Sequence, residues 1–209
     1  MNILQKMRKH QFLFQQLVHR DFTKKYKRTV LGVAWSVLSP LLTLLVMNVI
    51  FGTLLGSDIE HYTIYLFSGQ LVFSFFNEST NEGMTSLFNN ADIFTKVNVP
   101  KYMFLLSKNI SSLINFGITL CIYFLFVLIN GIPITWKFIL LLYPIVCLVM
   151  FNVGVGLILS AAYVFFRDIQ YLYGIFTMLL MYMSAIFYSI DTFPQIGRNL
   201  FLVNPVYVY

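Results

Sequence analysis

The 209-residue chain is 58% hydrophobic and only 11% charged, where a soluble domain has roughly 45–50% apolar and about 25% charged residues. With a mean hydropathy of +0.76, a water-soluble globule is excluded, because such a body must cover itself with polar side chains that this chain lacks. The net charge is +6, and eight cations, Lys6, Arg8, Lys9, Arg20, Lys24, Lys25, Lys27 and Arg28, fall before residue 29; they form an arm suited to an anionic surface.

Residues 1–29 divide into an amphipathic half and a basic half. Met7, Phe14, Val18 and Phe22 follow one helical face, with Lys6, Lys9, Gln16 and Arg20 elsewhere, which predicts a basic amphipathic helix lying in the membrane interface. A solvated helix docked on another protein is the alternative. Nucleic acid is the other polyanion for such an arm, but phospholipid head groups lie nearer, so no nucleic-acid partner is expected. A cleaved signal peptide also starts basic, yet the apolar run begins near residue 29, is too long for an h-region and lacks a small-x-small cleavage pattern.

Charge-free runs cover residues 29–57, 61–77, 109–136, 138–166 and 169–190. All but the second exceed the ~20 residues needed to cross a ~30 Å hydrocarbon core, and the second reaches that length if its helix continues through Asn77 and Glu78 toward Glu82. The predicted fold is therefore an all-α membrane protein: the interfacial helix 1–29, then a transmembrane domain 30–190 with five spans at about 30–55, 61–82, 104–130, 138–163 and 170–190. Five crossings place twelve Lys and Arg on one side and only Lys137 and Arg198 on the other, which makes the amino terminus cytoplasmic.

Between the second and third spans, Met84, Leu87, Ala91 and Phe94 recur at helical spacing and the segment closes at Pro100; a short amphipathic cytoplasmic helix is predicted over 83–100. Pro40 and Pro144 predict a kink or break in spans one and four. Gly154 and Gly156, with Ser160 and Ala161, offer small residues for close helix packing. Residues 191–209 are interrupted by Asp191, Pro194, Arg198 and Pro205, and read as a re-entrant or interfacial outer segment, with the chain cut before a further span.

The missing chemistry is as informative. Cys121 and Cys147 sit in apolar runs as small buried hydrophobes, and His10, His19 and His61 are scattered, so no metal site and no cofactor are indicated. The charge-free runs behind spans one, three, four and five hold no Asp, Glu, Lys, Arg or His, against a proton- or sodium-coupled transporter. Glu78 and Glu82 share a helix face, but they sit among Asn77, Ser79, Thr80 and Asn81, a wet helix end rather than a catalytic pocket; no catalytic residue is assigned and the chain is not read as an enzyme. Two acids at a helix carboxyl end oppose its dipole and call for cations, from the arm, from Lys96 or Lys101, or from a docked protein, unless water suffices. No G-x-x-x-x-G-K-[ST] phosphate loop exists, so any ATP must be split elsewhere.

Arg20-Asp21-Phe22 with Tyr26, the run Leu31-Gly32-Val33-Ala34-Trp35 through Pro40-Leu41, the stretch Asn89 to Pro100-Lys101-Tyr102, and Phe165-Phe166-Arg167-Asp168-Ile169 together resemble the membrane subunit of ABC-2 type polysaccharide export permeases, the Wzm-like proteins for O-antigen, teichoic acid or capsule. The resemblance runs from the interfacial helix to Asn204-Pro205. It implies a homodimer in the bacterial inner membrane, bound to two ABC ATPase subunits, with six spans per permease, so that one is missing here. The expected function is that of the permease subunit of an ATP-driven exporter moving polyprenyl-pyrophosphate-linked polysaccharide out of the cytoplasm.

Within that reading Arg20, Lys24, Lys25, Lys27 and Arg28 would bind the lipid pyrophosphate or other head groups, although a positive-inside anchor explains the same charges. By resemblance, residues 83–100 are the ATPase coupling region, with Leu87, Asn89, Asn90, Asp92 and Phe94 as its residues. Tyr62, Tyr65, Phe73 and Phe76 are candidates for channel aromatics on which sugar rings slide, though phenylalanine in lipid needs no ligand. A non-transporting scaffold for glycan-synthesis enzymes is the competing function, and a proton-coupled lipid flippase a third.

Overall fold

In the computed structural model, the described residues are 10–55, 61–133, 135–188, 195, 199, 201–202 and 204–208. Met7, Lys6 and Lys9 of the expected arm, and most of the 191–209 segment with Asp191, Pro194 and Arg198, lie outside them. The chain runs through α1 (Gln11–Tyr26), a 3₁₀ turn (Gly32–Ala34), α2 (Trp35–Leu55) and α3 (Tyr62–Thr85). A second 3₁₀ turn (Phe88–Asn90) and α4 (Ala91–Phe94) lead into α5 (Tyr102–Ile129). A 3₁₀ helix (Trp136–Leu141) then precedes α6 (Leu142–Phe165), α7 (Ile169–Tyr182) and α8 (Pro205–Val208).

Among the described residues, three helical stretches are long and apolar enough to cross a membrane, Gly32–Phe51, Tyr102–Ile129 and Phe138–Phe165. This corrects the expected five. The second expected span, α3, is long enough, but its carboxyl half is polar from Asn77 to Glu82 and is used internally: Ser79 and Thr80 are fully buried. The fifth is cut short, since α7 has 14 residues, about 21 Å at 1.5 Å per residue, against a hydrocarbon core of about 30 Å. After Tyr182 the chain turns, with Ala185 at φ 50°. The carbonyls of Ala185, Phe187 and Tyr188 accept hydrogen bonds from the Tyr65 and Tyr62 hydroxyls rather than from a continuing helix. Charge-free length measures polarity; it does not measure helix. The cytoplasmic assignment of the amino terminus counted charges across five crossings, and it loses its basis with them.

The helix α3 is the centre, packed on α6 and α5 and also against α2 and α7. Its Phe75 lies 4.6 Å from the ring of Phe116 in α5, and its Phe67 meets Tyr123 and Phe126 edge-on. Lipid tails are as apolar as such side chains, so in a bilayer close packing and buried hydrogen bonds specify helix neighbours. Both occur here. Gly83 and Gly156 bring α3 and α6 together at backbone distance, whereas Gly154, the other half of the small-residue pair, faces open space. Ser79 donates to Asn109 of α5, and the Tyr173 hydroxyl of α7 donates to Thr80 at 2.7 Å. Tyr173→Phe is expected to lower stability by about 1 kcal/mol, read as a lower unfolding temperature in detergent.

Proline acts as expected in α6: Pro144 stands in its first turn, where the 3₁₀ helix gives way, a place that needs no amide hydrogen. Pro40 lies inside α2. Of the cysteines, Cys147 is half-buried and Cys121 is exposed, so burial holds for neither in full.

Candidate functional site

The arm is built onto the bundle. Leu17 of α1 is buried with Val99, Met103 and Phe104, and Leu13 and Phe14 pack at the edge of that cluster. The face expected to enter lipid is thus partly used by the chain itself, Phe14, Val18 and Phe22 all being half-buried.

One turn beyond Leu17, Asp21 becomes the hub. Its carboxylate is 1% exposed and accepts from Arg20 at 2.7 Å and from the Ser107 hydroxyl of α5 at 2.9 Å, with Lys108 at 3.8 Å. The same Arg20 nitrogen donates to Asn90 at 2.8 Å, and Asn90 donates in turn to the Ser86 carbonyl at 2.7 Å. Arm, α5 and the segment after α3 are therefore tied at one point. A buried carboxylate persists only with such partners, because removing it from water costs several kcal/mol by itself.

A second set stands one turn on. Lys25 pairs with Glu78 at 2.8 Å, Asn115 donates to the other Glu78 oxygen at 3.0 Å, and the Tyr26 hydroxyl donates to Asn115 at 2.9 Å. Burial pushes the Tyr26 hydroxyl above its ordinary pKa; Lys25 opposes that shift and Glu78 adds to it. Lys25 and Glu78 are 43% and 30% exposed, so their attraction is screened and contributes little stability. Glu82 pairs with Lys108 at 2.7 Å. The two acids thus find cations, one from the arm as expected and one from α5, which the sequence did not suggest.

Among the expected head-group residues, Lys24, Lys27 and Arg28 are exposed, while Arg20 and Lys25 already hold carboxylates. The expected helix over 83–100 is divided: α3 extends to Thr85, then come the 3₁₀ turn and the four residues of α4. Within that segment Asn89 and Asp92 are exposed, Leu87 and Phe94 half-buried, and Asn90 buried. Phe94 lies against Phe104 with Lys101 over its ring. Arg167, from the Phe166-Arg167-Asp168 stretch, stacks on Phe88 at 4.4 Å, joining the α6–α7 turn to the same segment. Tyr62, Phe73 and Phe76 are buried in the core of the single chain and Tyr65 is half-buried.

Sequence reasoning missed Asp21, Ser107, Lys108 and Asn115. One signal was available: Asp21 is the sole acid in the first 57 residues, an unusual choice in a basic arm unless something holds it. Ser107, Ser111 and Asn115 also recur every fourth residue in α5, a polar stripe on an apolar helix.

The ABC-2 type transporter family profile matches residues 12–209, starting within α1. The O-antigen export system permease protein RfbA of Klebsiella pneumoniae is 28% identical over 202 residues, covering 93% of this chain and 77% of its own length. The RfbA protein of Myxococcus xanthus is 26% identical over 208 residues, covering 98% and 79%. A profile that spans the arm, the central helix α3 and the α6–α7 turn makes this multi-pass helical chain a member of the ABC-2 type transporter family, on its membrane side.

Proposed function

We propose that the chain is the permease subunit of an ATP-driven exporter that moves polyprenyl-pyrophosphate-linked polysaccharide across the bacterial inner membrane. The observation that carries this reading is the near end-to-end similarity to permeases named for O-antigen export in two organisms. It is supported by the lack of a phosphate loop, which leaves energy to a partner ATPase. The chain works as a homodimer, and exposed apolar residues such as Ile158 of α6 and Leu172 and Ile175 of α7 are available to a second copy or to lipid.

The ATPase docks on the segment after α3 through exposed Asn89 and Asp92, and Arg20, bonded to Asn90, carries its displacement into the arm. Proline at Asn89 and Asp92 together is expected to abolish ATPase co-purification or stimulated turnover; retention of both misplaces the coupling element.

The lipid pyrophosphate is drawn by Lys24, Lys27 and Arg28, each adding about 1 kcal/mol at an anionic surface. At Arg20 and Lys25 a head group must compete with carboxylates 2.7 and 2.8 Å away. Lys24→Glu/Lys27→Glu/Arg28→Glu is expected to weaken lipid-linked glycan binding on the order of a hundredfold and to slow export, with the complex still assembled. Unchanged export in reconstituted vesicles removes the arm from the mechanism. A scaffold, the alternative, would neither stimulate ATP turnover nor move glycan.

A further inference from the structure

Uncharged polar residues recur at one-turn spacing on three helices, and their faces converge. Ser36, Ser39 and Thr43 come from α2, Gln70 and Ser74 from α3, and Ser112, Asn115 and Thr119 from α5. They line a cleft of about 470 Å³ within a single chain, inside the roughly 300–1,000 Å³ range of small-molecule sites. The stripes of α2 and α5 run about 10 Å along their helices, and that of α3 about 6 Å. Two of these helices are candidates to cross lipid, where a hydroxyl facing hydrocarbon is costly. The cleft is therefore wet or filled by something polar.

Charge and hydrogen bonding define the filler. Among the described residues, the charged side chains lining the cleft are Lys25 and Glu78, and they neutralise each other. An ion entering would have to break that pair; a neutral molecule would not. The Thr119 hydroxyl donates to the Asn115 carbonyl and so offers its oxygen as an acceptor, whereas the Ser36 hydroxyl, bonded to the Val33 carbonyl, is also engaged with Tyr26. Gln70 donates to Ser74 at 3.2 Å, and its own oxygen is enclosed with no hydrogen-bond partner among the described residues. Acceptors wait for O–H donors, beside the aromatic surface of Trp35 and Phe75. A molecule dense in hydroxyls with an apolar face meets both demands.

We propose that this cleft binds an uncharged sugar residue inside one chain. The proposal rests on the export reading above and names where a single permease holds the carbohydrate part of its cargo.

Trp35 lines the cleft, and the chain has only one other tryptophan, Trp136, so Trp136→Phe leaves a single reporter. In nanodiscs, the full chain is titrated with the host's glycan freed from its lipid by mild acid, and separately with glycan-free polyprenyl pyrophosphate. A saturable change in Trp35 fluorescence is expected with the freed glycan. Gln70→Leu and Ser74→Val, each with an unchanged melting temperature, should weaken it by about tenfold. A response confined to the glycan-free lipid, or a glycan response unmoved by both substitutions, overturns the assignment. ATP-driven export in vesicles is scored alongside. Export with no Trp35 response to freed glycan defeats the cleft and leaves the export reading standing; a Trp35 response without export does the reverse.

Discussion

Asp21→Ala is expected to destabilise the protein by about 3–5 kcal/mol, the usual cost of removing one partner from a buried ion pair. The side chain is 1% exposed and is approached by Arg20 and Lys108. Without it, Lys108, itself only 13% exposed, keeps Glu82 and Ser107 keeps the Phe104 carbonyl, but Arg20 loses its carboxylate. The damage should be local first. The first half of the arm should come away from α5 before the bundle melts, since apolar packing around Leu17 then holds it, while Tyr26–Asn115 and Lys25–Glu78 still fasten its last turn. Asp21→Asn keeps an acceptor for Ser107 and should cost less. Thermal unfolding in detergent ranks the variants, and limited proteolysis within α1 reports release of the arm. An arm as protected in Asp21→Ala as in the parent would show that the hub does not hold it.

A comparable effect is expected where α3 meets α6. A Cβ built on Gly83 comes within 3.3 Å of the Gly156 Cα, a backbone atom that cannot swing aside. One built on Gly156 meets the Leu105 Cδ1 at 3.3 Å and the Gly83 Cα at 3.7 Å. Gly83→Val should therefore force the helices apart and cost about 1–3 kcal/mol or more by overpacking. Gly156→Ala should be milder, because the flexible end of Leu105 can yield. Gly154→Ala serves as the control: nothing lies within 4 Å of its added Cβ, and alanine suits a helix better by up to ~1 kcal/mol. Equal melting temperatures for Gly83→Val and Gly154→Ala would contradict this packing.

The family was legible in the sequence because it rests on composition and on motifs that need no partner to be seen. The number of spans was not. Charge-free length treated 169–190 as one element, yet the helix ends at Tyr182 because α3 tyrosines capture the carbonyls that follow. It also completed the second span by running its helix through the polar residues to Glu82 at a wet helix end, although Ser79 and Thr80 there face neighbouring helices. Helical periodicity likewise assigned Phe14, Val18 and Phe22 to lipid, because an amphipathic pattern does not say whether lipid or α5 covers its face.

The candidate site was legible only in part. Exposure of Lys24, Lys27 and Arg28 leaves those cations open to a head group, while Arg20 and Lys25 are bound inside the chain. Contacts such as Arg20–Asn90 and Lys25–Glu78 join residues 70 and 53 positions apart, a separation that no local pattern encodes. The polar stripe of α5 was visible as spacing, but its meaning came from the stripes of α2 and α3 that it faces.

On the proposed function, the permease takes its driving force from nucleotide hydrolysis in a partner. The most direct test is the rate at which lipid-linked glycan crosses vesicles containing the permease and its ATPase, measured with ATP, without nucleotide, and with ion gradients imposed or collapsed. Movement that requires ATP and the ATPase and ignores the gradients is the predicted result. Gradient-driven movement that continues after all nucleotide is withdrawn would contradict it.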